Sequence, residues 1–324
     1  MTFFYAQSPL ARVFLVLILA ALVLVPWFPS LVYSVFVMKL LCLALFACAY
    51  NLLLGFGGMM SFGHAAFFGS AAYMTGLAAK HGGWSPEMSL LAGTAAAALL
   101  GAVIGSLAIR RQGIYLAMIT LALAQMVYFT FLQLPFTGAE DGMQQIPRGV
   151  LFGLVDLNSD TAMYYLVLAL TLGGLWLICR VVYSPFGHIV QAIREHEPRA
   201  RSLGYPVNRY KLILFVLSAA LSGLAGSMKA LVFQLASLGD VYWHLSGDVV
   251  LMALLGGMQT VLGPVLGAAV VVGLQHYLDA LGAWVSLVMG VIFMVCVLTF
   301  RQGIAGVLQR FGGRKAALPV DERS

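Results

Sequence analysis

Apolar residues run through this chain in blocks of about twenty, separated by short polar, Gly- or Pro-containing stretches. A helix rises about 1.5 Å per residue, so each block spans roughly the 30 Å apolar layer of a bilayer. The pattern predicts an all-α integral membrane protein. It is expected to be a polytopic bundle of about ten transmembrane helices forming one domain over residues 1–324. Spans are expected near 10–27, 31–54, 63–80, 88–109, 113–134, 162–180, 211–231, 248–262, 264–281 and 284–300. A polar loop over 135–161 follows the fifth span. Gly256-Gly257 and Gly263-Pro264 interrupt the closing segments, which leaves open whether 248–281 crosses or re-enters.

Composition agrees with this pattern. Of 324 residues, 61% are hydrophobic and 9% charged, where soluble domains carry about a quarter charged residues. The net charge of +6 points to Lys and Arg in cytoplasmic loops, not to nucleic acid. Cys42, Cys48, Cys179 and Cys296 all lie in apolar runs, without metal or disulfide spacing. The N-terminal run carries Arg12 and ends at Pro26-Trp27-Phe28-Pro29 with no Ala-x-Ala site, so it reads as a retained span.

Charge also orients the bundle. Arg110-Arg111, the stretch 180–211 and the tail fall on one side if both termini are cytoplasmic. The other side then holds Glu87, Glu140, Asp141, Asp156, Asp160, Asp240, Asp248 and Asp279 against Lys80, Arg148 and Lys229. Lys39, inside the second span, is expected near its outer third, where it can snorkel.

Several stretches carry candidate chemistry. From Asn51 to Gly69, Gly55, Gly57, Gly58 and Gly63 make a poor continuous helix. A broken helix near 55–63 is expected, either lining a watery path with Asn51, Ser61 and His64, or forming a tight turn with satisfied polar groups. In 113–125, Tyr115, Thr120 and Gln125 are further path candidates, although their spacing rotates around the helix and an interhelical hydrogen bond serves equally well. Glu140-Asp141 in the loop lack the extra ligands of a metal site. Gly101/Gly105 and Gly263/Gly267 have the small-xxx-small spacing of close helix packing. Leu54–Met59 and Leu255–Met258 look alike but fall at non-equivalent places, a weak sign of an inverted repeat. No nucleotide-binding Gly-x-x-x-x-Gly-Lys-Ser/Thr, His-Glu-x-x-His or nucleophile elbow occurs, so no enzyme activity is expected.

The densest charge is Arg194-Glu195-His196-Glu197-Pro198-Arg199-Ala200-Arg201-Ser202-Leu203-Gly204. Unpaired charge is costly in lipid, so this stretch must lie at the membrane surface. Ser184-Pro185 ends the preceding span. Arg194, Glu195, Glu197 and Arg201 are expected to face water, Ile189, Ile193, Ala200 and Leu203 to press on protein or lipid, and Gly204 to end the helix. An ordinary basic loop and a docking helix fit the composition equally.

Asn51 to Gly69, Gly113 to Gln125, Thr137 to Gly142, Ser184 to Lys211, Phe215 to Gly226, Leu255 to Met258, Gly263 to Gly267 and Phe300 to Ile304 together resemble the permease subunits of branched-chain amino acid ABC importers. Within that LivH/LivM permease family the chain looks like the longer, LivM type. The resemblance implies a path for Leu, Ile and Val, a second permease of LivH type, two ATP-binding-cassette ATPases and a periplasmic or extracellular binding protein. The setting would be the inner membrane and its lipid, without nucleic acid. ATP would be bound by the partners, with no cofactor or metal in this chain. It also implies a cytoplasmic coupling segment over 188–204, in which Arg194, Glu195, Glu197, Arg199, Arg201 and Gly204 meet an ATPase. His196-Glu197-Pro198 departs from the family's usual coupling helix and suggests a shorter one starting at Pro198. Relatives of this shape also carry urea or short amides. A stand-alone secondary transporter would want paired intramembrane acids, whereas only Lys39 and His64 lie well inside expected spans.

Overall fold

The computed structural model describes residues 19–27 and 33–278, with 282, 284, 287–288 and 290–294 beyond them. About half of each segment expected near 10–27 and 284–300, with Asp279 and the basic tail, lies outside the described residues. Among the described residues the chain is all-α apart from four two-residue strands. Among these residues, five helical segments are long and apolar enough to cross a membrane: Ser34–Phe56, Pro86–Ala108, Ile114–Gln133, Asp160–Val182 and Val207–Phe233.

Helix α1 (Ser34–Asn51) continues into a π-helical turn at Leu52–Phe56 and then loses helical form until α2 (His64–Lys80). Next come α3 (Pro86–Ala108) and α4 (Ile114–Gln133). After the loop, α5 (Asp160–Val182) returns across the bundle. Two surface helices, α6 (Pro185–Glu195) and α7 (Glu197–Ser202), lead into the longest helix, α8 (Val207–Phe233). The chain then folds back as α9 (Trp243–Gly256) and α10 (Gly263–Leu278). With 14 residues, α9 reaches about 21 Å, less than a bilayer's apolar thickness.

Helices α2, α3 and α8 form the centre, with α1 packed on α8 and covered by α5 and the α9–α10 pair. Small residues permit this closeness. A Cβ at Gly226 of α8 would strike the Phe68 carbonyl of α2. Gly101 and Gly105 of α3 meet Ala219 and Phe215 of α8, and Gly267 of α10 meets the Met252 carbonyl of α9. Without a hydrophobic drive between helices in lipid, such contact rests on van der Waals packing of small surfaces. The outer faces of α3 and α4 stay exposed and apolar, with Leu99, Val103, Met118 and Met126 all more than half exposed. Lys39 is likewise exposed, on the outer side of α1.

The loop 135–161 is more structured than a solvated connection. β1 (Met143–Gln144) pairs antiparallel with β4 (Leu235–Ala236), and β2 (Val150–Leu151) with β3 (Val155–Asp156). Met143, Ile146 and Leu157 are buried against the bundle. Arg148 places two donors on the carbonyls of Leu231 (3.3 Å) and Val232 (2.9 Å) and a third on Asp160 (2.8 Å). These are last-turn carbonyls of α8, which lack intrahelical partners.

Candidate functional site

The site grows from the interruption after α1. Ser34–Phe56 counts 23 residues, about 34 Å as a helix, so the interruption falls at the end of a full span. A π-helical turn widens the backbone there, a feature common at functional positions. Gly58 has φ +66°, a conformation open mainly to glycine. A Cβ at Gly55 would come within 2.9 Å of the Gln259 backbone nitrogen. The glycines thus let the break touch the turn between α9 and α10. Asn51 fastens the same contact by donating from Nδ2 to the Thr260 carbonyl (2.9 Å).

Beyond the break, the start of α2 is tied by side chains. Thr120 Oγ1 of α4 accepts from the Phe62 N–H (3.2 Å), and Ser246 Oγ of α9 accepts from the Ala65 N–H (2.9 Å). Ser218 Oγ donates to the Ala49 carbonyl (2.6 Å), so it must accept from His64 Nε2 (2.9 Å). In the neutral ring Nδ1 of His64 then accepts from Ser61 Oγ (3.1 Å), which itself accepts from the Gly63 N–H (3.2 Å). His64 is 0% exposed and lies edge-on to Tyr50 at 4.9 Å. Both its nitrogens are used, so the ring holds α1, α2 and α8 together and has nothing left to offer a solute here.

At the same end of the bundle lie α6 and α7. Ser184 caps α6 by accepting from the Gly187 N–H (3.2 Å), with Pro185 in the first turn. Gly187, Val190 and Ile193 form its buried face, at the spacing of one helix side. Ile193 joins Ala200 and Val207 in a small core separate from the main one. The chain turns at His196 (φ −147°, ψ 82°), so the coupling segment expected over 188–204 consists of two helices. Pro198 stands within the first turn of α7, which begins at Glu197. Gly204 has φ +87° and closes the segment.

Two charged residues of this segment bond inward, Arg194 while remaining exposed as a residue and Glu197 while partly buried. Arg194 donates from Nη1 to the Gly55 carbonyl. The Gln259 side-chain oxygen, in the orientation that matches donors to acceptors, accepts from Nη2 (2.6 Å) and Nη1 (3.0 Å) of the same guanidinium. Glu197, expected to face water, has a side chain only 15% exposed. It accepts from Gln112 (2.7 Å), Arg201 (2.8 Å) and Lys211. Its position at the first turn of α7 and the approach of Lys211 at the start of α8 draw it in. Arg194, Glu195, Arg199, Arg201 and Gly204 are exposed. Leu203, expected to press on protein or lipid, is 69% exposed. A cavity of about 300 Å³ lies between Gly58, Arg111, Arg194 and Glu197.

The structure therefore gathers Asn51, Ser61, His64 and Thr120 around the break. Tyr115 stands apart, 67% exposed near the start of α4, and Gln125 is half-buried farther along that helix. Sequence reasoning missed Gln112, Lys211, Ser218, Ser246 and Gln259. Each acts through a partner distant in the chain. Only the serines left a trace, as hydroxyls inside apolar helices that must find a bond. No group of three or more His, Cys, Asp or Glu able to hold a metal occurs among the described residues.

Comparison with known proteins bears on what this arrangement belongs to. No solved structure matches the chain significantly. The high-affinity branched-chain amino acid transport system permease protein LivM of Escherichia coli (strain K12) is 29% identical over 231 residues, 64% of this chain and 54% of that protein. Its namesake in Salmonella typhimurium (strain LT2) is 30% identical over 237 residues, 66% of this chain and 56% of that protein. The autoinducer 2 import system permease protein LsrC of Klebsiella pneumoniae is 31% identical over 141 residues, 40% of this chain and 37% of that protein. The match thus spans about half the length of the curated LivM relatives. Residues 32–298 match the family described as branched-chain amino acid transport system / permease component, and the chain belongs to that family.

Proposed function

We propose that this chain is a membrane permease subunit of an ATP-binding-cassette importer, forming part of the translocation path for Leu, Ile and Val. It works in the inner membrane with a second permease of LivH type, two ATPase subunits and an external binding protein. The α6–α7 end and both termini face the cytoplasm, which puts Arg110, Arg111, Arg199 and Arg201 on the cytoplasmic side. The observation that carries the reading is the α6–α7 segment itself. It is an amphipathic surface element with its own small core, exposed Glu195, Arg199, Arg201 and Leu203 outward, and inward bonds to the break. A partner that closes on ATP can shift such an element only by binding one arrangement better than the other. Family membership supports the importer class, and the LivM relatives support the cargo.

The test is a reconstituted complex with its binding protein. Leu, Ile or Val is expected to stimulate ATP hydrolysis, and Arg199→Glu, on the outward face of α7, to weaken ATPase binding. Stimulation by urea or short amides alone would keep the importer and overturn the cargo. Purification without any ATPase, with transport intact, would overturn the importer reading.

A further inference from the structure

Surface helices alone move nothing unless something joins them to the membrane part. Beside the small apolar core, two charged side chains join them to that part by hydrogen bonds among the described residues, and they lead to different places. Glu197 joins α7 to Lys211 at the start of α8 and to Gln112 ahead of α4. Arg194 joins α6 to the break after α1 and, through Gln259, to the turn between α9 and α10.

The Arg194 joint fits its place closely. At the end of the π-helical turn the backbone carbonyls need donors from elsewhere. The Met59 N–H serves the Leu53 carbonyl (3.2 Å) and the Gly58 N–H the Leu54 carbonyl (3.1 Å). The next carbonyl, Gly55, takes its hydrogen bond from Arg194. A cation at a helix C-terminus is also favoured by the helix dipole. The Arg194 stem occupies space that a side chain at 58 would fill, since a Cβ there would lie 2.8 Å from its Cγ. Gln259 holds φ +66°, a costly conformation for a residue with a side chain, and one maintained only where the surroundings dictate it. The contacts close a ring: Arg194 to Gly55, Asn51 to Thr260, and Gln259 back to Arg194.

We propose that Arg194 is the positioning residue that carries a displacement of α6–α7 to the end of α1 and to the α9–α10 turn. The inference rests on the coupling reading above and adds the specific joint. One planar guanidinium grips two acceptors on two elements, so neither can shift without the other. Lysine, a single point charge, can keep one acceptor but not the shared geometry.

Two measurements test this. In the full chain, Arg194→Ala is expected to speed amide exchange at Gly57–Met59 by about tenfold or more, with α3 unchanged. In the assembled importer, uptake per ATP should fall about tenfold while hydrolysis stays within about twofold. Gln259→Ala, which lies off the surface helices, should act in the same direction, and Arg194→Lys should recover part of the loss. Unchanged exchange, or unchanged uptake per ATP in both variants, would overturn the joint. So would loss of ATPase binding in Arg194→Ala with Gln259→Ala normal, since Arg194 would then be a docking residue and the coupling reading would survive. If the wild type itself binds no ATPase, the coupling reading fails first and Arg194 is only a helix cap.

Discussion

Replacing Glu197 with alanine should loosen α7 without unfolding the bundle. The Lys211 and Glu197 side chains are 11% and 15% exposed, while Arg201 is 65% exposed. An exposed pair contributes about 0–1 kcal/mol, so Arg201 matters little. Breaking a fully buried pair costs about 3–5 kcal/mol, because the remaining charge is stranded. A hydrogen bond from a neutral donor to a charged acceptor, as from Gln112, adds about 1.5 kcal/mol or more. Water can reach Lys211 once the carboxylate is gone, which brings the total to about 2–3 kcal/mol. That energy belongs to local opening, and it raises the open population roughly 30- to 150-fold. Trypsin reads it directly, since Arg199 and Arg201 lie in α7 and cleavage tracks the open population when reclosing is fast. Cleavage at these arginines in Glu197→Ala should rise by that factor. Glu195→Ala, at an exposed position, should cleave as the parent does. A double-mutant cycle with Lys211→Ala should show coupling of about 1 kcal/mol or more. A change below about threefold, or an additive cycle, would refute the reasoning.

Other outcomes follow from packing and caps. Gly226→Ala drives a Cβ into the Phe68 carbonyl and should cost about 1–3 kcal/mol, measured as a lower thermal midpoint in detergent. Gly173→Ala, with open space around it on α5, should be neutral or stabilise by up to about 1 kcal/mol in the same assay. Arg148→Ala strands the Leu231 and Val232 carbonyls. It should lower stability by about 2 kcal/mol and raise amide exchange in β4 and the last turn of α8.

Legibility differed by element. Long apolar runs announce helices, because in lipid the backbone must satisfy itself within the segment. The break after α1 was visible in Gly55, Gly57, Gly58 and Gly63, and the surface segment in its charges. The inward turn of Glu197 was not, because a carboxylate amid arginines reads as solvated until Lys211 and Gln112 are brought to it. His64 was ambiguous for the same reason. Ser61 is three residues away, but Ser218 is 154 residues away, and only that second bond completes its neutral ring.

The sequence alone determined the solvent of this protein, its all-helical class, the position of its irregular backbone and the stretch that must stay at the membrane surface. These follow from local terms: the length of apolar runs, the conformational cost of glycine, and the cost of charge in lipid. The tertiary structure decided which polar groups meet. It bonded the Arg194 guanidinium to the break, drew Glu197 inward, used both nitrogens of His64, folded the 135–161 loop onto β4, and left Tyr115 outside the cluster. Those outcomes depend on hydrogen bonds between residues far apart in the chain, and no local period or spacing encodes such bonds.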